Sequence, residues 1–157
     1  MMVVSSMVLA DDYKLNLAVG LFTHHVDNTT YVDDYSYNEN NNLIVLEYEK
    51  NKKSVMFGVF ENSFFNDSFM LMGGYKFEKK GFYLTLRAGI CKGYNAVDIL
   101  YSNTTANYTY DFKNFNVIYK DWSVIGTIGV GYTYKKASLE VDVFGSAIFG
   151  VAKIQIN

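Results

Sequence analysis

Between Phe82 and Ile90 the chain alternates strictly: Phe82, Leu84, Leu86, Ala88 and Ile90 share one parity, and Tyr83, Thr85, Arg87 and Gly89 share the other. A repeat of two residues places the two sets on opposite faces of a β-strand, whereas a helix would scatter both around its surface. The same division recurs from Tyr13 to Phe22, where Leu15, Leu17, Val19 and Leu21 oppose Lys14, Asn16, Ala18 and Gly20. It recurs again where Leu139, Val141 and Val143 oppose Ser138, Glu140 and Asp142. The fold class that follows is all-β. The 14 tyrosines and 12 phenylalanines agree, because aromatic side chains favour pleated, half-buried surfaces.

Extending the pattern predicts eight strands, near 13–23, 42–50, 53–61, 68–77, 81–92, 122–134, 137–144 and 148–156. The connections alternate in length. Those at 24–41 and 93–121 are long; Asn51-Lys52, Glu78-Lys79-Lys80 and Lys135-Lys136 are tight turns. The expected architecture is an eight-stranded antiparallel up-and-down transmembrane β-barrel, one domain over 11–157. If the first strand starts on the periplasmic side, every lysine-containing tight turn falls there and the long Asn/Tyr/Thr-rich loops fall outside, the asymmetry of outer-membrane barrels. An even strand number lets the sheet close without an edge. The chain contains no proline, so strand pairing is expected to run uninterrupted around the barrel.

Charge placement tests the same geometry. Lys14, Glu47, Arg87, Glu140, Asp142 and Lys153 all lie on the polar parity of their strands. A barrel in lipid turns such groups inward, where they pair as a polar plug. A soluble, lipocalin-like barrel has the opposite parity, with apolar residues inside around a ligand, and is the competing arrangement. The formal charge of −2 supplies no basic field for nucleic acid, which is excluded as a partner. Residues 1–10, MMVVSSMVLA, read as the end of a secretory signal peptide, with Val8 and Ala10 at the small-residue positions of a cleavage site before Asp11-Asp12. Elsewhere no apolar run approaches the ~18 residues of a spanning helix. Localisation in a bacterial outer membrane, as a monomer, is the expectation.

Chemistry-bearing residues gather at predicted strand ends: His24-His25 closes the first strand, YNEN at 37–40 leads into the second, and Asn62-Ser63 follows the third. In an up-and-down barrel these positions share one rim. On these residues the chain resembles PagP, the outer-membrane lipid A palmitoyltransferase family, and its small bacteriophage-encoded relatives. The resemblance rests on His24 followed after thirteen residues by Tyr37-Asn38-Glu39, on Phe60-Glu61-Asn62-Ser63 in place of an aromatic-x-Asp-Ser motif, on the Gly74-Tyr75 pair, and on Asn62-Ser63 followed by Ser68-Phe69. It implies transfer of an acyl chain from a phospholipid to a hydroxyl of lipid A, with no metal or soluble cofactor. His24 would be the general base, Ser63 nucleophile or oxyanion donor, and Asn62 would stand at the family's acidic position.

His24-His25 alone is too sparse for a zinc centre, which takes three or four ligands, and the chain has neither another His nor a second Cys. The sequons at Asn28, Asn103 and Asn107 carry no meaning in a bacterial envelope. A non-catalytic barrel whose 93–121 loop binds a surface partner, in phage or host recognition, is the alternative function.

Overall fold

The computed structural model describes residues 13–26, 38–63, 65–93, 117–119, 122–145 and 147–157. The proposed signal segment 1–10, Tyr37, the three sequons and most of the 93–121 connection lie outside the described residues.

Nine strands form one antiparallel sheet: β1 Tyr13–His25, β2 Ile44–Lys50, β3 Lys53–Glu61, β4 Asp67–Lys79, β5 Phe82–Lys92, β6 Val117–Tyr119, β7 Trp122–Tyr134, β8 Ala137–Phe144 and β9 Ala147–Gln155. β1 pairs with both β2 and β9, and β5 pairs with β7 across the 93–121 connection, so eight of them close into an up-and-down barrel. The ninth, β6, is a three-residue stub on the upper end of β7, inside what the sequence reads as loop.

The tight turns follow from length and backbone geometry. Asn51 and Lys52 both adopt positive φ (52° and 68°), as do Lys80 and Gly81 (53° and 84°). Left-handed conformations at both central residues match the twist of a two-residue hairpin. The second turn is therefore Lys80-Gly81, and β4 runs on to Lys79 where a Glu78-Lys79-Lys80 turn was expected.

The parity sorts as the lipid-type barrel requires. Registered pairs link Leu17 to Leu46, Leu46 to Phe57, Phe57 to Leu71, Leu71 to Ile90 and Ile90 to Val124, an outward apolar row crossing six strands. Leu84 and Leu86 are 38% and 43% exposed, while Arg87 and Glu140 between them are at 6% and 2%. A soluble barrel would show the reverse. Aromatic residues flank this apolar band: Tyr48, Tyr75, Phe77, Phe82, Tyr132 and Tyr134 towards the tight turns, Phe22, Phe69 and Trp122 towards the long connections. Among the described residues no helix is long and apolar enough to cross a membrane.

Inside, the half near the tight turns is ionic. Arg87 Nη1 binds Glu140 Oε1 at 2.5 Å and Asp142 Oδ1 at 2.8 Å; Lys153 reaches Glu47 Oε2 at 3.3 Å and also Glu140. Thr85 and Tyr83 donate their hydroxyls to the two Glu140 oxygens at 2.7 and 3.1 Å. Glu49 is held by Lys76 at 2.6 Å and Lys14 at 3.6 Å. Four cations thus meet four carboxylates, the condition under which buried charge is tolerated. Gly129 opens the space for this, since a Cβ there would meet Asp142, Glu140 and Thr85 oxygens. The other half of the interior is apolar, built from Ala18, Leu43, Val45, Met56, Met72, Cys91, Ile125 and Val151.

Pairing is not continuous. The β7–β8 ladder stops at Ile128–Val143, and β6 takes over only at Val124, so Ile125, Gly126 and Thr127 have no ladder partner on that side among the described residues. The absence of proline does not prevent this, because β7 has 13 residues and β8 only 8.

Candidate functional site

The upper rim is built where β1, the 38–43 segment and the end of β3 converge. Thr23 N–H donates to the Glu39 carbonyl at 3.1 Å, Asn38 N–H to the Ser63 carbonyl at 3.0 Å, and Glu61 N–H to the Asn41 carbonyl at 2.8 Å. Backbone bonds of this kind fix the relative positions of the side chains that follow.

His25, not His24, meets Ser63: Nε2 of His25 lies 2.8 Å from Ser63 Oγ. The cause is a β-bulge in β1. Gly20 pairs with Val151 and Phe22 with Gly150, leaving Leu21 as an extra residue. A bulge inserts one residue against one partner and reverses the facing of everything after it. Leu21 and Phe22 are accordingly both outward, at 56% and 50% exposed; Thr23 turns in, His24 out and His25 in. His24 lies in the open, its Nδ1 3.3 Å from Glu39 Oε1. The signal that distinguishes the two histidines is the adjacent apolar pair Leu21-Phe22, which breaks strict alternation.

His25 is the last residue of β1, at the end held by the 38–43 segment. Burial holds its imidazole below the ordinary histidine range, against the pull of Glu39 and with the help of His24. The ring is neutral at neutral pH and able to accept a proton.

Asn62 is 1% exposed and its amide is engaged in the turn that follows β3. It donates to Ser68 Oγ at 3.0 Å and to the Gly93 carbonyl at 2.9 Å, and accepts from Asn66 N–H at 3.1 Å. Its place is that of a clamp between the 62–68 turn and the end of β5. Asn38, buried, donates to Glu61 Oε2 at 3.0 Å and to the Asn62 carbonyl at 3.3 Å. Sequence reasoning brought His24, Asn62 and Ser63 to one rim; the structure brings His25, Ser63, Asn38 and Asn62 together there and leaves His24 outside.

Below this rim a cavity of about 80 Å³ enters the barrel. Thr23, Asn38, Asn41, Asn62 and Ser63 line its polar mouth; Leu43, Val45, Met56, Met70, Met72, Phe144 and Phe149 its walls; Arg87, Asp142 and Lys153 its floor. Apolar walls with a few polar groups at one end match hydrocarbon below and a polar group at the rim in chemical character, while the resting volume is well under the roughly 300 Å³ of a small-molecule site. Cys91, the lone thiol, faces the same space. Among the described residues no group of three or more His, Cys, Asp or Glu side chains is arranged to hold a metal ion.

No family model, no curated protein and no solved structure matches the chain.

Proposed function

We propose that the chain is an outer-membrane acyltransferase of the PagP kind, carrying a fatty acyl chain from a phospholipid to a hydroxyl of lipid A, with His25 in the role first read onto His24. The observation that carries this reading is the 2.8 Å contact between His25 Nε2 and Ser63 Oγ, of which Ser63 lines the mouth of the apolar cavity. The outward apolar band between two aromatic girdles supports the membrane part, since strands of about 9–11 residues suffice to cross.

The acyl chain of the donor enters the barrel here with its ester carbonyl at the rim; the resting cavity of about 80 Å³ is far smaller than such a chain, so the methionine and phenylalanine side chains of its walls move aside as it enters. Neutral His25 takes the proton of the attacking hydroxyl as that oxygen bonds to the carbonyl carbon. The bond to the glycerol oxygen then breaks, and the proton passes to that oxygen, releasing a lysophospholipid. Ser63 is either the first nucleophile, forming an acyl-serine that lipid A then takes over, or a hydroxyl donor to the oxyanion. The interruption at Ile125–Thr127 offers the chain a sideways route, because Ile125 and Thr127 line the cavity.

The second reading is a non-catalytic barrel, and Asn62 favours it: an amide spent on the 62–68 turn leaves no carboxylate of the family motif to stabilise an imidazolium. The two are separated by mass spectrometry of lipid A from cells expressing the chain. A gain of one acyl mass is expected; it falls about 10²–10⁴-fold in rate in His25→Ala and persists in the exposed-residue control His24→Ala. The rate should hold through the pH range in which an ordinary histidine protonates and drop only at lower pH, because burial lowers the pKa of His25. No acyl gain from a correctly inserted natural chain selects the non-catalytic barrel.

A further inference from the structure

The tight-turn end of the barrel concentrates exposed lysines: Lys50, Lys52 and Lys53 on the β2–β3 hairpin, Lys79 and Lys80 on β4–β5, Lys135 and Lys136 on β7–β8. Among the described residues the only exposed acid at that end is Glu78, and none of the seven lysines is ion-paired to an Asp or Glu side chain, while Lys136 Nζ donates to the Asn157 backbone oxygen at 2.9 Å. The opposite rim exposes Glu39 and Asp67, and its one lysine among the described residues, Lys92 at the end of β5, is half-buried with its Nζ 5.6 Å from the Trp122 ring. The asymmetry therefore belongs to one rim.

Two details point to an anion. Lys50 and Lys53 are registered directly opposite each other, an arrangement of like charges that is destabilising across a strand pair unless something negative lies between them. The lysines also border the lower aromatic girdle, with Lys135 Nζ 5.4 Å from the Tyr134 ring and Phe82 packed on Tyr132 at 4.8 Å. Aromatic rings of this kind sit at head-group level in a bilayer, which puts the ammonium groups at the height of lipid phosphates.

We infer that this lysine rim binds the anionic head groups of phospholipids in the leaflet next to the tight turns, holding a shell of negatively charged lipid around that end. The inference rests on the membrane reading above and is independent of acyl transfer. Each lysine near a negative surface adds attraction that weakens as salt rises.

The test uses the full chain reconstituted in bilayer discs of phosphatidylcholine and phosphatidylglycerol in equal amounts, with native mass spectrometry of the lipids that stay bound. Phosphatidylglycerol is expected to be retained several-fold above its bulk share. In the variant Lys50→Gln/Lys53→Gln/Lys79→Gln/Lys136→Gln, with unchanged heat-modifiable migration, that enrichment should fall to the bulk ratio. Equal retention of the two lipids by the natural chain, or enrichment unaltered in the folded variant, overturns the inference. Insertion without lipid preference overturns it alone; failure to insert in either lipid overturns the membrane reading as well.

Discussion

The two halves of the barrel interior obey the same two-residue alternation and yet are filled in opposite ways. Near the tight turns, inward positions carry Arg87, Glu140, Asp142, Lys153, Glu47 and Glu49, bound to one another and to Thr85 and Tyr83. Near the long connections, inward positions carry Val45, Met56, Met72, Cys91 and Ile125, and a cavity remains among them. The ionic half must be filled, because each charge there needs its partners to offset desolvation. The apolar half has no such requirement, and an empty space between hydrocarbon walls is stable enough to persist. One half acts as a plug and floor; the other keeps a cavity of about 80 Å³.

That contrast is open to direct attack. The largest effect is expected from Arg87→Leu, which leaves Glu140 and Asp142 without their common partner in the plug. Unfolding free energy should fall by about 3–5 kcal/mol, read from the urea dependence of the folded band on a semi-native gel. A loss below about 1 kcal/mol, the scale of an exposed ion pair, would mean that the charges do not act as one network.

A smaller, paired test compares packing on the two sides. Gly129→Ala pushes a methyl group into the Asp142, Glu140 and Thr85 oxygens and should cost about 1–3 kcal/mol. Met56→Leu, beside the cavity, changes shape at similar volume and should cost less than about 1.5 kcal/mol. Equal costs in the same urea assay would remove the distinction between a filled half and a hollow one.

Much of the barrel was legible in the residues because a buried face and an apolar face impose a period of two, and six of the charges inside the plug could be read by parity alone. Glu49 and Lys76 complete the plug but were not singled out, although Glu49 shares the inward parity of Glu47 two residues before it. The stub β6 falls in a segment with no alternation to reveal it. The site was half legible. Ser63 and Asn62 were placed on the correct rim, but continuing the parity of β1 past Leu21 selects His24, and only the bulge transfers the inward position to His25. Asn62 reads as a member of a catalytic motif in sequence, while its hydrogen bonds to Ser68, Gly93 and Asn66 give it a structural duty that depends on contacts remote in the chain. The cavity itself was invisible, since it arises from which side chains of eight different strands converge on one space.

The central claim is that the open half of the barrel receives a hydrocarbon chain while the ionic half stays closed. All methionines among the described residues, Met56, Met70 and Met72, line the cavity, so their ¹³C-labelled methyl groups report on it directly. In bilayer discs titrated with a phospholipid bearing a spin label at the end of one acyl chain, the three methyl signals are expected to broaden, while the Tyr83 and Thr85 signals of the plug stay sharper. Unchanged methionine signals, or equal broadening in both halves, would contradict the account.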